Sequence, residues 1–147
     1  MKLIMKIVVG GIVQKEGKVL LVQEAKEMCY GKWNISAGGL ELNESIKDGA
    51  IREIKEETGC DVELTGLLSL DHGVIEGKNF IAVIFSTRLL NEDIKFNKEE
   101  ILDVKWFDID EIINNMDTEL RDSKFIKNSL INLKNNNIGS LNIINEI

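Results

Sequence analysis

The sequence predicts an α/β protein, in which helices cover a β-sheet. Strand-like runs rich in β-branched residues are mixed along the chain with about three segments of helical periodicity, the pattern of this class. The length of 147 residues corresponds to one ordinary domain. A composition of 44% hydrophobic and 29% charged residues is typical of a globular protein.

The first elements are predicted to be extended. Residues 3–13 form a nearly continuous apolar run, residues 14–18 have the composition of a turn, and residues 19–22 are again apolar. This order predicts a β-hairpin at the start of the fold. An irregular loop is expected over residues 25–32, followed by a short extended segment from Trp33 to Ile35.

A helix is predicted to begin at Asn43 or Glu44 and to end at Gly59. Apolar or small residues recur at helical spacing along it, at Ile46, Ala50, Ile51, Ile54 and Thr58. Glycine directly after the last periodic residue is a common stop signal. This helix is therefore expected to pack one face against a sheet.

The second half continues the mixed pattern. Strands are predicted over residues 62–70, 80–85 and 104–107, and helices over residues 108–116 and 121–134. We expect one domain over residues 1–134 and a loosely docked Asn-rich tail over residues 135–147.

Charge and apolar segments exclude several classes of protein. The net charge of −7 argues against a nucleic-acid partner, which needs a clustered basic surface. No stretch reaches the ~18 apolar residues of a membrane helix, so no membrane partner is expected. Cys29 and Cys60 are too few for a disulfide framework, and reduced thiols in a cytoplasmic protein are expected.

An acidic cluster lies on the first predicted helix. Glu53, Glu56 and Glu57 stand at i, i+3 and i+4, so their carboxylates share one helix face. Like charges at this spacing repel each other and do not stabilise a helix. Hard divalent cations such as Mg²⁺ and Mn²⁺ bind carboxylate oxygens and would neutralise the repulsion. A solvated helix face is the alternative interpretation of an isolated pair of glutamates.

The surrounding spacing favours the cation site. The segment contains a Gly, five residues, a Glu, seven residues and then Arg-Glu-apolar-x-Glu-Glu-x-Gly-apolar. This pattern resembles the signature of the Nudix (MutT-like) hydrolases. The matching positions are Gly38, Glu44, Arg52, Glu53, Ile54, Glu56, Glu57, Gly59 and Cys60. The last position is normally aliphatic, and we expect Cys60 to have a packing role there.

The resemblance extends over residues 3–115 and implies a Nudix-type α/β/α sandwich. Its mixed β-sheet would carry the Nudix loop and helix, with further helices packed on it. One departure lies before the motif, where Ser36-Ala37-Gly38 stands in place of the common Pro-Gly-Gly. Ser36 lacks the fixed φ of proline, so a slightly looser loop is expected without loss of activity.

The resemblance implies an enzyme that hydrolyses a pyrophosphate bond with Mg²⁺ or Mn²⁺ as cofactor. The implied metal ligands are Glu56, Glu57 and the carbonyl of Gly38, while Glu53 is a ligand or the base that activates water.

Three further residues complete the implied centre. Arg52 would pair with Glu44 and hold the loop against the helix. Glu99 and Glu100 both lie in the loop before the last predicted strand, and Glu100, six residues before Trp106, is the better match for a further acidic ligand, against the alternative of a solvated loop charge.

Three other residues are candidates for binding the substrate. Trp33 is suited to stacking on a base, Phe80 offers a second aromatic ring, and Lys32 can contact a phosphate. The alternative interpretation is core packing for the two aromatic residues and a solvated charge for the lysine.

Three functions are compatible with these observations. The first is hydrolysis of a nucleoside di- or triphosphate, including oxidised ones, because the segment from Gln23 to Trp33 resembles family members that cleave 8-oxo-guanine nucleoside diphosphates. The second is hydrolysis of ADP-ribose or a nucleotide sugar, and the third is nucleotide binding without catalysis. All glutamates of the signature are present, which favours an enzyme. Its oligomeric state is left open between a monomer and a homodimer.

Overall fold

Eight strands and three helices make up the protein, whose computed structural model describes residues 1–147. The strands are β1 (Met5–Ile12), β2 (Gln14–Lys15), β3 (Lys18–Glu24), β4 (Trp33–Asn34), β5 (Ser36–Gly39), β6 (Asp61–Ile75), β7 (Lys78–Asn91) and β8 (Ile101–Asp108). The helices are α1 (Ile46–Thr58), α2 (Ile109–Asn115) and α3 (Ser123–Lys134). Two 3₁₀ turns cover Glu27–Cys29 and Leu141–Ile143. The predicted α/β class is confirmed.

The strands form two four-stranded sheets. The first has the order β5-β1-β7-β6 and is mixed, because β1 and β7 run parallel while its other pairs are antiparallel. In the second, β3 pairs antiparallel with β2, β4 and β8. β6 and β7 extend well beyond the predicted segments, because they form one long antiparallel hairpin that ends at Ile75 and Lys78.

The predicted opening hairpin is wrong for most of its length. β1 pairs with β5 and β7, and only the two residues of β2 pair with β3. The chain therefore passes from one sheet to the other directly after Ile12. A Cβ at Gly10 would lie 2.1 Å from the carbonyl oxygen of Ser36, so glycine permits the close approach of β5. Local patterning cannot report such distant partners.

The helices bury apolar faces on opposite sides of the sheets. On α1, Ala50 packs in a cluster with Val9 of β1, while Ile54 packs in a cluster with Leu20 of β3. Residues of α2 and α3 enter the largest cluster together with residues of β3 and β7; these include Leu21, Ile84, Ile112, Ile126 and Leu130. Helix α1 is thereby held against both sheets.

The C-terminal segment is docked by specific contacts. Gly139 and Leu67 exchange two backbone hydrogen bonds of 2.8 Å, and Leu141 and Ile144 pack against the cluster that contains Val9. Gly139, Leu141 and Ile144 are only partly buried and the other residues of 135–147 are exposed, so the segment is docked on the β6 side at a few points. None of the helices has the length and apolar character needed to cross a membrane.

Candidate active site

Helix α1 carries the acidic cluster, and both of its ends have a structural cause. It begins at Ile46, slightly later than predicted, because the Ser45 side chain caps it by accepting a hydrogen bond from the backbone N–H of Asp48 (3.0 Å). It ends at Gly59, whose φ of 82° is left-handed. A Cβ at Gly59 would lie 2.0 Å from the Asp93 carbonyl oxygen, so glycine also permits close packing of the loop before β8.

Glu53 of α1 lies directly against Gly38 of β5. A Cβ built on Gly38 would come within 2.4 Å of the Glu53 carboxylate, so this carboxylate occupies the space that any side chain at position 38 would need. β5 is held in place by its antiparallel pairing with β1, in which Gly38 faces Val9. The strand thus fixes the backbone of Gly38 against the acidic face of α1.

Arg52 connects the carboxylates of the loop and the helix. Its Nε and Nη2 donate to the two oxygens of Glu44 at 2.5 and 2.9 Å, in the bidentate arrangement expected for an arginine–carboxylate pair. Its Nη1 donates to Glu53 at 2.8 Å and to Glu56 at 3.1 Å. Nη2 also donates to the Gly39 carbonyl oxygen at 3.1 Å, which ties the loop to the helix.

Arg52 and burial act in opposite directions on the neighbouring acids. The hydrogen bonds from Arg52 hold the pKa of the Glu44 carboxyl below its ordinary value. Burial raises the pKa of Glu53 despite the same arginine, because a partly desolvated carboxylate is costly to ionise. The two glutamates therefore differ in how readily they take up a proton.

Glu57 is the most perturbed acid of the site. Burial raises its pKa well above the ordinary value, and the charges of Glu53 and Glu24 raise it further. The backbone of Ala37 and the charge of Lys26 act in the opposite direction. Its Oε1 atom is buried and has no hydrogen-bond partner. A buried oxygen without a partner is costly, which indicates that a group is required there.

Two further predicted ligands, Glu56 and Glu100, have contacts of their own. Glu56 is exposed and bonds only to Arg52 among side chains. The Glu100 carbonyl oxygen accepts a hydrogen bond from the backbone N–H of Ala25 (3.0 Å), which places Glu100 beside the end of β3. No three His, Cys, Asp or Glu side chains are arranged as a preformed metal site. Arg52 instead contacts Glu53 and Glu56.

The three predicted substrate-binding residues have structural contacts of their own. Trp33 meets Phe107 edge-to-face with ring centroids 4.9 Å apart, and it packs against the largest core cluster. Phe80 packs on the same cluster. Lys32 donates from Nζ to the Thr118 carbonyl oxygen. These contacts favour the packing interpretation for both aromatic residues, and their contact with substrate stays a prediction.

Sequence reasoning missed a buried polar group next to the site. Glu24 at the end of β3 is 2% exposed, and its Oε1 accepts hydrogen bonds from Asn34 Nδ2 (3.2 Å) and Arg121 Nη1 (3.3 Å). Its position after an apolar strand was visible in the sequence. Its burial depends on Arg121, 97 residues away along the chain, and no local pattern reports that pairing.

A family comparison agrees with this geometry. The model of the NUDIX domain matches residues 5–129. The chain belongs to the NUDIX family. The match includes the whole signature and all of the strands and helices except the end of α3.

Two NUDIX relatives are similar to this chain over about 70% of its length. Human 8-oxo-dGDP phosphatase NUDT18 is 34% identical over 104 residues, which cover 69% of this chain and 31% of that protein. Nudix hydrolase 2 of Arabidopsis thaliana is 32% identical over 107 residues, covering 70% and 38%. The chain thus spans about a third of the length of these curated relatives.

A solved structure supports the fold over the whole chain. A NUDIX hydrolase from Nitrosomonas europaea superimposes with a TM-score of 0.87 at 26% identity, covering 97% of each chain. The predicted Nudix-type fold is confirmed by this similarity.

The residues present are chemically suited to Mg²⁺, which prefers oxygen ligands. The Glu57 oxygen without a partner lies near the carboxylates of Glu53 and Glu24, and Glu53 in turn lies against Gly38. These are hard donors of the type that Mg²⁺ and Mn²⁺ bind, with no competing thiolate or imidazole among them.

Proposed function

We propose that the protein is a Mg²⁺-dependent hydrolase of a pyrophosphate bond in a nucleoside di- or triphosphate, including oxidised guanine nucleotides. The observation that carries this proposal is the buried Glu57 carboxylate, which has an oxygen without a partner and lies on the same helix face as Glu53 and Glu56. The 34% identity to human 8-oxo-dGDP phosphatase NUDT18 supports the choice of substrate class.

A cation resolves the conflict between an acidic protein and an anionic substrate. The protein carries a net charge of −7, so the glutamate cluster alone would repel a diphosphate. A bound Mg²⁺ neutralises carboxylates and phosphates and polarises the phosphoryl oxygens. In this proposal Glu56, Glu57, Glu100 and the Gly38 carbonyl hold the cation.

Two side chains have roles beside binding. Glu53 acts as a further ligand or as the base that takes a proton from the attacking water, and burial raises its pKa, which makes it a stronger base than an exposed glutamate. Arg52 orients Glu53 through Nη1 while its other nitrogens bind Glu44 and Gly39. It is therefore a positioning residue that fixes the loop and the helix in one geometry.

The test is hydrolysis by the purified chain with Mg²⁺ and a substrate panel. The panel contains 8-oxo-dGDP, 8-oxo-dGTP, their unoxidised forms, ADP-ribose and a nucleotide sugar, and products are quantified by chromatography. Cleavage of a di- or triphosphate that disappears with EDTA is the expected result. Preference for ADP-ribose or the nucleotide sugar would overturn the proposed substrate class.

Variants separate catalysis from binding. Glu56→Gln and Glu57→Gln are expected to lose at least about 100-fold in rate, since they remove charge that the cation requires. Glu111→Gln is the matched control, because Glu111 is exposed on α2 and bonds only to Asn115. If wild type binds nucleotides but cleaves none of the panel, the protein is a binding domain and the proposed activity is wrong.

A further inference from the structure

Glu24 is a carboxylate buried where a strand meets the active-site helix. The side chain is 2% exposed, and its Oε2 atom has no hydrogen-bond partner. The hydrogen bonds from Asn34 and Arg121 both reach the other oxygen, and at 3.2 and 3.3 Å they are at the long end of the usual range. A buried carboxylate that is satisfied on one oxygen only is destabilising unless something else binds the second oxygen.

The side chain of Glu24 lies on the face of β3 that packs against α1. Leu20, four residues earlier on the same face, belongs to one apolar cluster with Ile54 of α1. Asn34 pairs with Val22 across β3 and β4, so it shares that face and reaches Glu24. The charge of Glu24 is felt at Glu57, one turn beyond Ile54 on α1.

Few buried side-chain oxygens of this chain lack a hydrogen-bond partner. The chain has three such side-chain atoms, namely Glu24 Oε2 on β3, Ser36 Oγ on β5 and Glu57 Oε1 on α1. The backbone of Ala37, directly after Ser36, is close enough to Glu57 to lower the pKa of that carboxyl. These atoms belong to three elements that are in contact with each other: β5 places Gly38 against Glu53 of α1, and Leu20 of β3 packs in one cluster with Ile54 of α1.

We propose that Glu24 is an additional ligand of the divalent cation held by Glu57, at the inner side of the active site. This inference rests on the proposed function, because it concerns the same cation. Two buried carboxylates repel each other, and one divalent cation between them compensates both charges and binds both free oxygens.

The cations of the protein itself do not fill this role. Arg121 contacts only the Oε1 atom of Glu24, and its side chain is 35% exposed. Lys26 is exposed, and its influence on Glu57 is smaller than that of burial or of the nearby acids. Arg52 is fully engaged with Glu44, Glu53 and the loop.

The test uses Mn²⁺ alone as the probe, without nucleotide. Its affinity and stoichiometry are measured by calorimetry and by the electron paramagnetic resonance signal of free Mn²⁺. Glu24→Gln is expected to weaken Mn²⁺ binding at least about tenfold, since even outer residues of a metal site contribute that much. Glu27→Gln, an exposed control in the following turn, is expected to stay within about twofold.

A second variant separates ligation from positioning. Arg121→Gln removes the ion pair with Glu24 but leaves the carboxylate, so Mn²⁺ binding is expected not to weaken. Equal weakening by Arg121→Gln and Glu24→Gln would show that Glu24 acts through Arg121, which overturns the proposal. Thermal unfolding in EDTA checks folding, and Glu24→Asp, which keeps the charge but retracts it, replaces Glu24→Gln if that variant does not fold.

The outcomes distinguish the two proposals. Wild type that binds no Mn²⁺ contradicts the proposed function itself. Wild type that binds Mn²⁺ with the same affinity as Glu24→Gln contradicts only the role of Glu24. Weakened binding in Glu24→Gln, or in Glu24→Asp where it replaces that variant, with normal binding in Glu27→Gln and Arg121→Gln, supports it.

Discussion

Adding one methyl group at Gly38 is expected to disable the site without unfolding the protein. In Gly38→Ala the new Cβ would lie 2.4 Å from the Glu53 carboxylate. Apolar contacts are comfortable at about 3.5 Å, so the carboxylate has to move by about 1 Å. The Glu53 carboxylate lies at the end of a flexible side chain, so it moves more easily than the paired backbone of β5.

A displacement of this size is large for catalysis. Misplacing a reacting group by about 1 Å costs on the order of 100-fold in rate, which corresponds to about 2.7 kcal/mol in the barrier. We therefore expect kcat/KM of Gly38→Ala to fall about 100-fold. The melting temperature should change little, because no core contact is lost.

The neighbouring glycine provides a matched control. A Cβ at Gly39 meets only Lys6 Cε at 3.8 Å, an ordinary contact, so Gly39→Ala should keep its activity and its stability. Hydrolysis rates, Mn²⁺ affinity and thermal unfolding are measured for both variants. Full activity in Gly38→Ala, or equal losses in both, would refute the assigned contact between Gly38 and Glu53.

Three further predictions concern the helix that carries the glutamates. Ile54→Ala removes a fully buried side chain and should cost about 2–5 kcal/mol of unfolding free energy in urea titrations, whereas Ile51→Ala, 37% exposed on the same helix, should cost less than about 1 kcal/mol. Gly59→Ala places a Cβ at a left-handed position, 2.0 Å from a carbonyl oxygen. It should lower the unfolding free energy more than Gly17→Ala, because Gly17 has a similar φ of 77° but open space around it. Equal losses of unfolding free energy in urea titrations would contradict the packing argument. For Glu57 the folded pKa is raised, so its ionisation destabilises the fold as pH rises from the unfolded value near 4.5 through the folded one. Glu57→Gln should therefore stabilise the cation-free protein more at pH 8 than at pH 4.5, and thermal unfolding in EDTA that shows no such trend would contradict the burial of its charge.

Arg52 contacts two of the three clustered glutamates and leaves the third without a partner. Arg52 binds Glu53 and Glu56 through the same nitrogen, at 2.8 and 3.1 Å, and so compensates part of their repulsion. Glu57 has no such contact and keeps a free oxygen.

Local elements were predictable because their causes lie close together in the chain. Gly59 stops α1 as predicted, and the spacing of Ile46, Ala50 and Ile54 placed the helix face that is buried. The start of α1 shifted to Ile46 because Ser45 is the residue whose side chain caps the helix. The lengths of β6 and β7 were underestimated because their ends are polar and are held by pairing with each other.

The sequence by itself determined the family, the helix that bears Glu53, Glu56 and Glu57, and the acidic chemistry of that helix, since these depend on spacing within about twenty residues. Only the tertiary structure decided that β1 leaves its expected partner β3 for β5 and β7, which brings Gly38 under Glu53. It also decided that Glu24 is buried at the end of β3 with Arg121 beside it. Both results follow from contacts between segments that are far apart in the sequence. These contacts bury some of the charged groups, and the degree of burial sets the free-energy cost of each charge.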